Sequence, residues 1–486
     1  MPSIWSQTVT MPRFPALRED KRIHTAVIGG GLAGLLTAYL LKRRGIECIV
    51  LEASRTGSGQ TKNTTAKITS QHGLMYHKLI EDKGYEQAKL YAEINQHAIE
   101  QFGEIIRAES IACDYERRNA YLFGKGGGDA LRAEADAAAS LGIHAYHVGG
   151  TGLPFPTAGA VCFENQAQFH PLRFLKGISM GLNIYENSPV REVDGDTLIL
   201  DECKVTASHI VFATHFPFVN VPGYYFARMY QSRSYSLALK NAPMPDGMYV
   251  GCGDDAISLR KYKEYTIMAA LAHRTGENSQ GGRYQALRTM AKQLFPKSEE
   301  AAAWSAQDCM TADNVPYIGK YAANRPGWYV ATGFNKWGMT GSMAAAQVIS
   351  ELIATGSSRY EELFSPQRVD TAMMGEVVRE GVQAVKGLIR RNLSVPREEL
   401  DSLPSGHGGV VQTDEGKAGV YKDDDGQVYI VDVRCPHMGC QVEWNPDEKS
   451  WDCPCHGSRF DYKGNLIDNP AQENLNRIEQ SRAEQG

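Results

Sequence analysis

The chain has 486 residues, 42% apolar and 22% charged, a globular balance that excludes a largely disordered chain and leaves room for several domains. A net charge of −5 and a pI near 6.3 carry no global basic signal, so no nucleic-acid partner is expected. No charged segment followed by an apolar one opens the sequence, and the longest uncharged stretch, Thr25–Leu41, falls just short of a membrane span, so the chain reads as soluble and cytoplasmic, with no transmembrane segment.

In chain order, residues 1–22 are polar and contain proline, and read as an extended arm. Thr25–Ile28 is a short apolar strand, Leu35–Arg44 a helix ended by Gly45, and Ile46–Leu51 a second strand closing on Glu52. Together they form a βαβ unit. Residues 85–110, 129–141 and 284–295 read as helices. Residues 184–214 hold short strands ending in Ile210–Thr214, and the alternation across 225–275 predicts an antiparallel sheet. Tyr329–Gly333 is a strand into a glycine turn, Gly341–Thr355 a helix, and 367–391 an amphipathic helix. The proline and glycine content of 392–409 marks a linker, and short strands beyond it predict a small all-β module. Residues 396–486 carry 9 basic and 18 acidic residues while the remainder is net positive by 4, which fits either two separate modules or electrostatic docking of tail on body.

Gly29, Gly31 and Gly34 lie between a strand and a helix, and Glu52 ends the next strand, the context a dinucleotide fingerprint requires. Gly29 allows the tight turn, Gly31 lets the backbone approach a pyrophosphate, and Gly34 permits close helix–strand packing. Glu52 would accept from ribose hydroxyls, which argues against a 2′-phosphate. Val148–Gly152 and Gly251–Gly253 do not complete a second unit, which points to a flavin reduced directly by an organic substrate.

Over about residues 24–360 the sequence resembles the D-amino acid oxidase family of flavoproteins. The carriers are Val27–Gly34, Glu52, the strand ending Ala213-Thr214, Asp313–Gly319, and Thr332–Thr340 before a helix. The resemblance implies bound FAD held by Gly29, Gly31, Leu32, Gly34 and Glu52. Val190 would meet the adenine and Thr65 would lie beside the flavin with Lys67. Gly333, Gly338, Met339 and Thr340 would form the turn and helix N-terminus that stabilise a reduced flavin. Asp308 stands where amino-acid-oxidising relatives commonly have an arginine, and Thr340 where sarcosine-type enzymes have a lysine. A carboxylate there favours a cationic amine over a plain α-amino acid, although Asp308 could equally serve a structural ion pair. Lys67, His273, Asp308 and Lys336 are the candidate catalytic residues, His273 being as consistent with a satisfied structural histidine. His72, Tyr76 and Trp337 fit either a cavity lining or the core. FAD is expected to be non-covalent, since Cys309 is offset by about three residues from the attachment position.

Ten cysteines are too few for a disulfide scaffold in a chain this long, and four of them lie between 435 and 455. Cys435-Pro-His437 followed by Cys453-Pro-Cys-His456 is a metal-ligand pattern. Zinc rarely takes that pairing and a four-cysteine site would lack the histidines. Residues 395–475 resemble a Rieske [2Fe–2S] domain, which implies Cys435, His437, Cys453 and His456 as ligands. Neutral imidazoles would raise the cluster potential. The resemblance is to the electron-transport type, in which Cys440 and Cys455 would form a disulfide; two free thiols are the alternative. Ser458 would donate to a cluster sulfur, Phe460 replaces a second donor, and Asp468–Ala471 matches a loop over the cluster.

The expected architecture is an α/β, Rossmann-type FAD-binding domain (24–84, 145–220, 306–365) with an antiparallel-sheet substrate domain (85–144, 221–305), a helix and linker (366–395), and an all-β Rieske domain (396–486). The expected function is an FAD-dependent dehydrogenase acting on an amine-type C–N bond. Electrons would leave through the cluster to a quinone or a small redox protein. The alternatives are a reductase or monooxygenase fed through the cluster, and a non-catalytic redox carrier or sensor.

Overall fold

The computed structural model describes residues 2–253, 256–368, 403–413 and 416–478. Nearly all of the helix and linker expected over 366–395 lies outside the described residues. Among the described residues, no helix is long and apolar enough to cross a membrane.

The first sheet is built on the expected βαβ unit. Lys21–Ile28 pairs in parallel with Cys48–Leu51 on one side and Lys204–Phe212 on the other. The order runs Tyr317–Lys320, Trp328–Thr332, Lys204–Phe212, Lys21–Ile28, Cys48–Leu51, Ile184–Tyr185. The central strands are apolar on both faces, as a parallel sheet covered by helices requires. Leu32–Arg43 packs on Gly338–Thr355, whose side chains are buried along most of its length.

The second sheet has nine strands, led by Glu299–Thr311, Met229–Lys240, Tyr265–Arg274 and Ser258–Tyr262. It then continues through Met248–Gly251, Glu116–Gly124 and Gly159–Gln168 to Lys67–Ile68. The sheet crosses the seams expected from the sequence. Residues 145–148 and 159–168, placed with the nucleotide domain from sequence, are strands of the substrate sheet, and Glu299–Thr311 runs unbroken across 305/306. Pairing along the whole strand keeps its peptide groups hydrogen-bonded, which ties the two expected units into one sheet at these positions.

The N-terminal arm also departs from expectation. Ile4–Thr8 is a helical turn capped by Ser3, and Trp5 is fully buried. Its Nε1 donates to Thr64 O at 2.7 Å, and the Arg260 guanidinium lies 5.1 Å from its ring. An isolated Trp has no periodicity to announce such a role.

The C-terminal module comprises two small antiparallel sheets, Gly408–Thr413 with Gly416–Lys422 and Val428–Asp432, and Glu443–Asn445 with Ser450–Asp452, Arg459–Asp461 and Leu466–Asp468. Its core gathers Trp444, Trp451, Phe460, Val442 and the four clustered cysteines.

Candidate functional site

The glycine loop closes as its spacing predicts. Gly29 has φ of +111°, and a Cβ there would lie 2.4 Å from Ala213 O; a Cβ on Gly34 would lie 2.0 Å from Gly29 O. Gly31 has only the Thr61 hydroxyl, 3.5 Å away, in front of the corresponding position. Gly34→Val is therefore expected to abolish FAD retention, read as flavin absorbance per protein after gel filtration, because the clash is with backbone that cannot move aside.

Glu52 reaches the loop from its strand end, accepting from Gly30 N at 2.7 Å and Ser54 N at 2.8 Å. Burial raises its pKa, opposed by these two backbone donors. The carboxylate thus braces the loop it was expected to serve, and ribose hydroxyls would meet its remaining lone pairs. Leu32 N donates to Thr61 Oγ1 at 3.0 Å, tying the first helical turn to Gln60–Asn63. Val190 is buried, two residues after Ser188, whose N donates to Glu52 O at 2.9 Å.

The flavin-side turn is pinned by a residue that sequence reasoning missed. Asn335, with φ of +52°, accepts from Thr311 N through Oδ1 at 2.9 Å, and its Nδ2 donates to Gly333 O at 3.1 Å and Asn314 O at 3.0 Å. Gly333, φ +69°, has no room for a Cβ against Thr311 Cγ2. The helix then starts at Gly338, with Met339 and Thr340 buried. Thr340 Oγ1 donates to Thr69 O at 3.0 Å. His72 is satisfied on both nitrogens, by Tyr91 OH at 2.7 Å and Thr69 O at 2.8 Å, and stacks on Trp337 at 4.9 Å. Burial drops its pKa to about 3, so it is a neutral wall residue. His72, Tyr91, Phe334 and Trp337 line one narrow pocket, while Tyr76 is core, its hydroxyl donating to Ser70 O.

Successive side chains of Glu299–Thr311 alternate between two faces. Trp304 Nε1 donates to Asn63 O, and Asp308 lies 3.7 Å from Lys336 Nζ, so this face looks toward the flavin-side loops. Burial raises the Asp308 pKa, and Lys336 and then His215 oppose it. Lys67 is buried, bonded to the hydroxyls of Ser258 and Thr65, and desolvation, reinforced by the nearby Arg260 charge, lowers its pKa to about 7. His215 is buried beside Asp308 at the end of the nucleotide sheet, and burial lowers its pKa, opposed by Asp468, Asp308 and the Gln231 side chain. His273 is not brought to this face. It pairs across the sheet with Arg233, stacks on Tyr235, and donates from Nδ1 to Arg274 O at 2.7 Å, the arrangement of a satisfied structural histidine. Cys309 is buried, and desolvation holds its thiol well above the ordinary range, so it is not a ready thiolate.

The opposite face of the same strands receives the C-terminal module. Gln231 Nε2 donates to His456 O at 2.6 Å and Gln307 Nε2 to Gly457 O at 2.9 Å. Asn469 Nδ2 donates to Thr214 O and Phe216 O, each at 2.7 Å, and Arg233 pairs with Glu448 at 2.5 Å. Electrostatic docking thus takes a local form: the buried Arg233–Glu448 pair, hydrogen bonds to backbone carbonyls, and tail carboxylates that accept from the body, Asp447 from Asn278 Nδ2, Gly282 N and Arg283 N and Asp468 from Gln60 Nε2, with the acidic run Asp423–Asp425 left outward or half-buried.

The two metal loops are built alike. Gly439 N bonds Cys435 O at 2.8 Å and Gly457 N bonds Cys453 O at 3.0 Å, with both glycines at φ near +76°. Cys440 and Cys455 are disulfide-bonded, joining the loops. Cys435 and Cys453 are 2% and 1% exposed, and each thiol shifts the other's pKa, that of Cys435 down and that of Cys453 up. His437 Nδ1 and His456 Nδ1 face each other at 3.2 Å. Burial lowers both imidazoles, to about 4 and about 3, keeping them neutral and able to ligate. Two thiols and two converging Nδ1 atoms in a dry pocket fit a cluster with sulfur ligation at one iron and nitrogen at the other. Ser458 is buried, interacts with Cys435 and accepts from Ala471 N at 3.0 Å, which seats the 468–471 loop beside the cluster position.

Comparisons with known proteins agree with this geometry. Residues 24–352 match the family described as FAD dependent oxidoreductase, and 395–479 match the Rieske [2Fe-2S] domain. A Bacillus subtilis protein named "Putative Rieske 2Fe-2S iron-sulfur protein YhfW" is 34% identical, covering 98% of this chain and 97% of its own. The cytochrome b6-f complex iron-sulfur subunit 1 of Nostoc sp. is 43% identical over 47 residues, 10% of this chain and 26% of its own. Among solved structures, glycine oxidase from Geobacillus kaustophilus superposes with a TM-score of 0.60 at 17% identity, over 72% of this chain and 99% of its own. L-amino acid deaminase from Proteus vulgaris does so at 0.59 and 15%, over 74% of this chain and 100% of its own. The cofactors are therefore FAD and a [2Fe–2S] cluster, and the protein is an oxidoreductase. The chain belongs to the FAD dependent oxidoreductase family, as a member that carries a Rieske [2Fe–2S] domain behind its catalytic body.

Proposed function

We propose that the protein is a dehydrogenase that oxidises an amine-type C–N bond and delivers the electrons through its Rieske cluster to an external acceptor, a quinone or a small redox protein. The observation that carries this is the shared sheet edge. Trp304 and Asp308 point to the flavin-side loops, while Ser305 and Gln307, between and beside them, hold the Rieske domain. The names of the structural neighbours, glycine oxidase and L-amino acid deaminase, support a C–N substrate.

When bound, FAD accepts a hydride and the cluster carries single electrons, so the pair joins two-electron to one-electron chemistry. The chain's own residues prepare the amine. Oxidation to an imine removes a hydride from carbon and a proton from nitrogen, so the nitrogen needs a base. Lys67, neutral above about pH 7, is that base in this reading, and Asp308 draws in a cationic amine with Lys336 balancing its charge. Because its pKa is lowered from 10.5 to about 7, the rate should climb as pH rises through 7. Lys67→Met is expected to remove that limb and to lower kcat/KM by roughly 10²–10⁴-fold, measured as anaerobic flavin bleaching across pH.

The deciding experiment mixes the anaerobic protein with primary, secondary and quaternary amines and amino acids, following flavin absorbance and the cluster EPR signal together. Bleaching by one compound, followed by the cluster signal, supports the reading. Reduction of both centres by dithionite but by no compound in the set overturns it in favour of electron entry through the cluster.

A further inference from the structure

The imidazole edges turned away from the cluster position are both occupied by the flavoprotein body. With Nδ1 facing the cluster, His437 carries its proton on Nε2 and donates it to Asn220 Oδ1 at 2.8 Å. His456 is 3% exposed, with Phe226 edge-on at 5.8 Å and Phe216 at 6.4 Å. All three body residues belong to one segment, 213–226, which leaves the end of the strand Lys204–Phe212 in the nucleotide sheet. The same segment is fastened to the flavin side: Thr332 Oγ1 donates to His215 O at 2.5 Å, and Cys309 Sγ to the same carbonyl at 3.4 Å. Asn220 itself is braced by its own carbonyl, which accepts from Tyr224 N at 2.8 Å.

We infer that Asn220 is a positioning residue for the cluster, contributed by the flavoprotein body, which sets the donor strength of the His437 ligand and so makes the cluster potential depend on the docked state. The inference rests on the Rieske reading of the four ligands. An oxygen accepting from the distal N–H of a ligating imidazole pushes electron density toward the metal and favours the oxidised cluster, so it lowers the potential. A stronger acceptor lowers it further, and no acceptor raises it. Nothing in the spacing of Asn220 announces this, because its partner lies 217 residues away.

The test is a redox titration of the full-length protein carrying both cofactors, at one fixed pH, with the cluster followed by EPR and the flavin by absorbance. Asn220→Ala and Asn220→Asp are compared with the wild type. The wild-type cluster potential is expected to lie between those of the two variants. Asn220→Ala shifts the cluster upward and the near-isosteric Asn220→Asp shifts it downward, while the flavin potential stays in place. Unchanged cluster potentials in both variants overturn the inference. So do shifts in the same direction, which would report loss of docking rather than loss of an acceptor. A wild-type protein with iron bound but no [2Fe–2S] signal would instead overturn the Rieske reading beneath it.

Discussion

Cys453→Ser is expected to yield a protein that keeps its FAD, lacks iron and acid-labile sulfide, and no longer reduces an external one-electron acceptor. Cys453 is 1% exposed and sits at the head of the second metal loop, where the Cys435 thiol and burial raise its pKa. Losing an outer-shell partner of a metal site typically costs about 10–100-fold in affinity or activity, and losing a direct ligand costs more. The glycine loop, Glu52 and the Asn335-pinned turn lie on other elements, so flavin content should be that of the wild type. Iron and sulfide analysis beside the flavin absorbance reads the outcome. Equal loss of flavin and iron would show that the two domains cannot fold independently of the cluster. Retention of iron would mean that Cys453 is not a ligand.

Arg459→Met is expected to destabilise both the Rieske domain and its docking. The Arg459 side chain is 7% exposed and pairs with Asp452 at 2.9 Å, Asp468 at 3.0 Å and Glu448 at 3.2 Å. Asp468 in turn accepts from Gln60 of the body, and Glu448 from Arg233 and Ser305. Removing one partner of a buried charge network leaves the others uncompensated, at a cost of about 3–5 kcal/mol. A separate, lower unfolding transition for the C-terminal domain in calorimetry is the expected signature, and an unchanged thermogram would refute it. The same network makes docking acid-sensitive. Arg233 and Arg459 hold Glu448 well below the ordinary carboxylate range despite its burial. Its contribution is complete above the unfolded-state pKa of about 4.3 and is lost as pH falls below that toward the depressed folded value.

Both cofactor sites were legible because their chemistry is carried by short spacings. Three glycines between a strand and a helix, with Glu52 at the next strand end, rarely fall together by chance, and Cys-x-His paired with Cys-x-x-His does so more rarely still. The relation between the two sites was not legible. Asn220, Gln231, Gln307 and Asn469 are lone polar residues without periodicity, and their partners lie 150 or more residues away. The charge imbalance between tail and body suggested contact without locating it. Among the described residues, no hydrogen bond or ion pair joins the acidic run Asp423–Asp425 to the body, whereas the buried Arg233–Glu448 pair does bridge the two, and total charge cannot distinguish them. His273 was an even choice from sequence because a histidine on a strand gains its role from the face it occupies. A bulge between Arg233 and Tyr235 sets the local pairing, and no sequence pattern marked it.

The closed interface also bears on how the cluster is assembled. Cys435 and Cys453 are almost wholly enclosed, and the loops that carry them are held by Gln231, Gln307 and Asn220 of the body, with Asn469 clamping the cover loop to it. Enclosed in this way, the thiols are expected to take up iron and sulfide more slowly once the C-terminal domain has docked, read as the rate of cluster reconstitution in the wild type against a variant with weakened docking. The loop between the disulfide and the second metal ligand is covered as well: Arg274 Nη2 donates to Cys455 O at 3.2 Å, and Gly276 lies so close to Pro454 that a Cβ would not fit between them. That enclosure favours an order of assembly in which the cluster is inserted before the C-terminal domain docks.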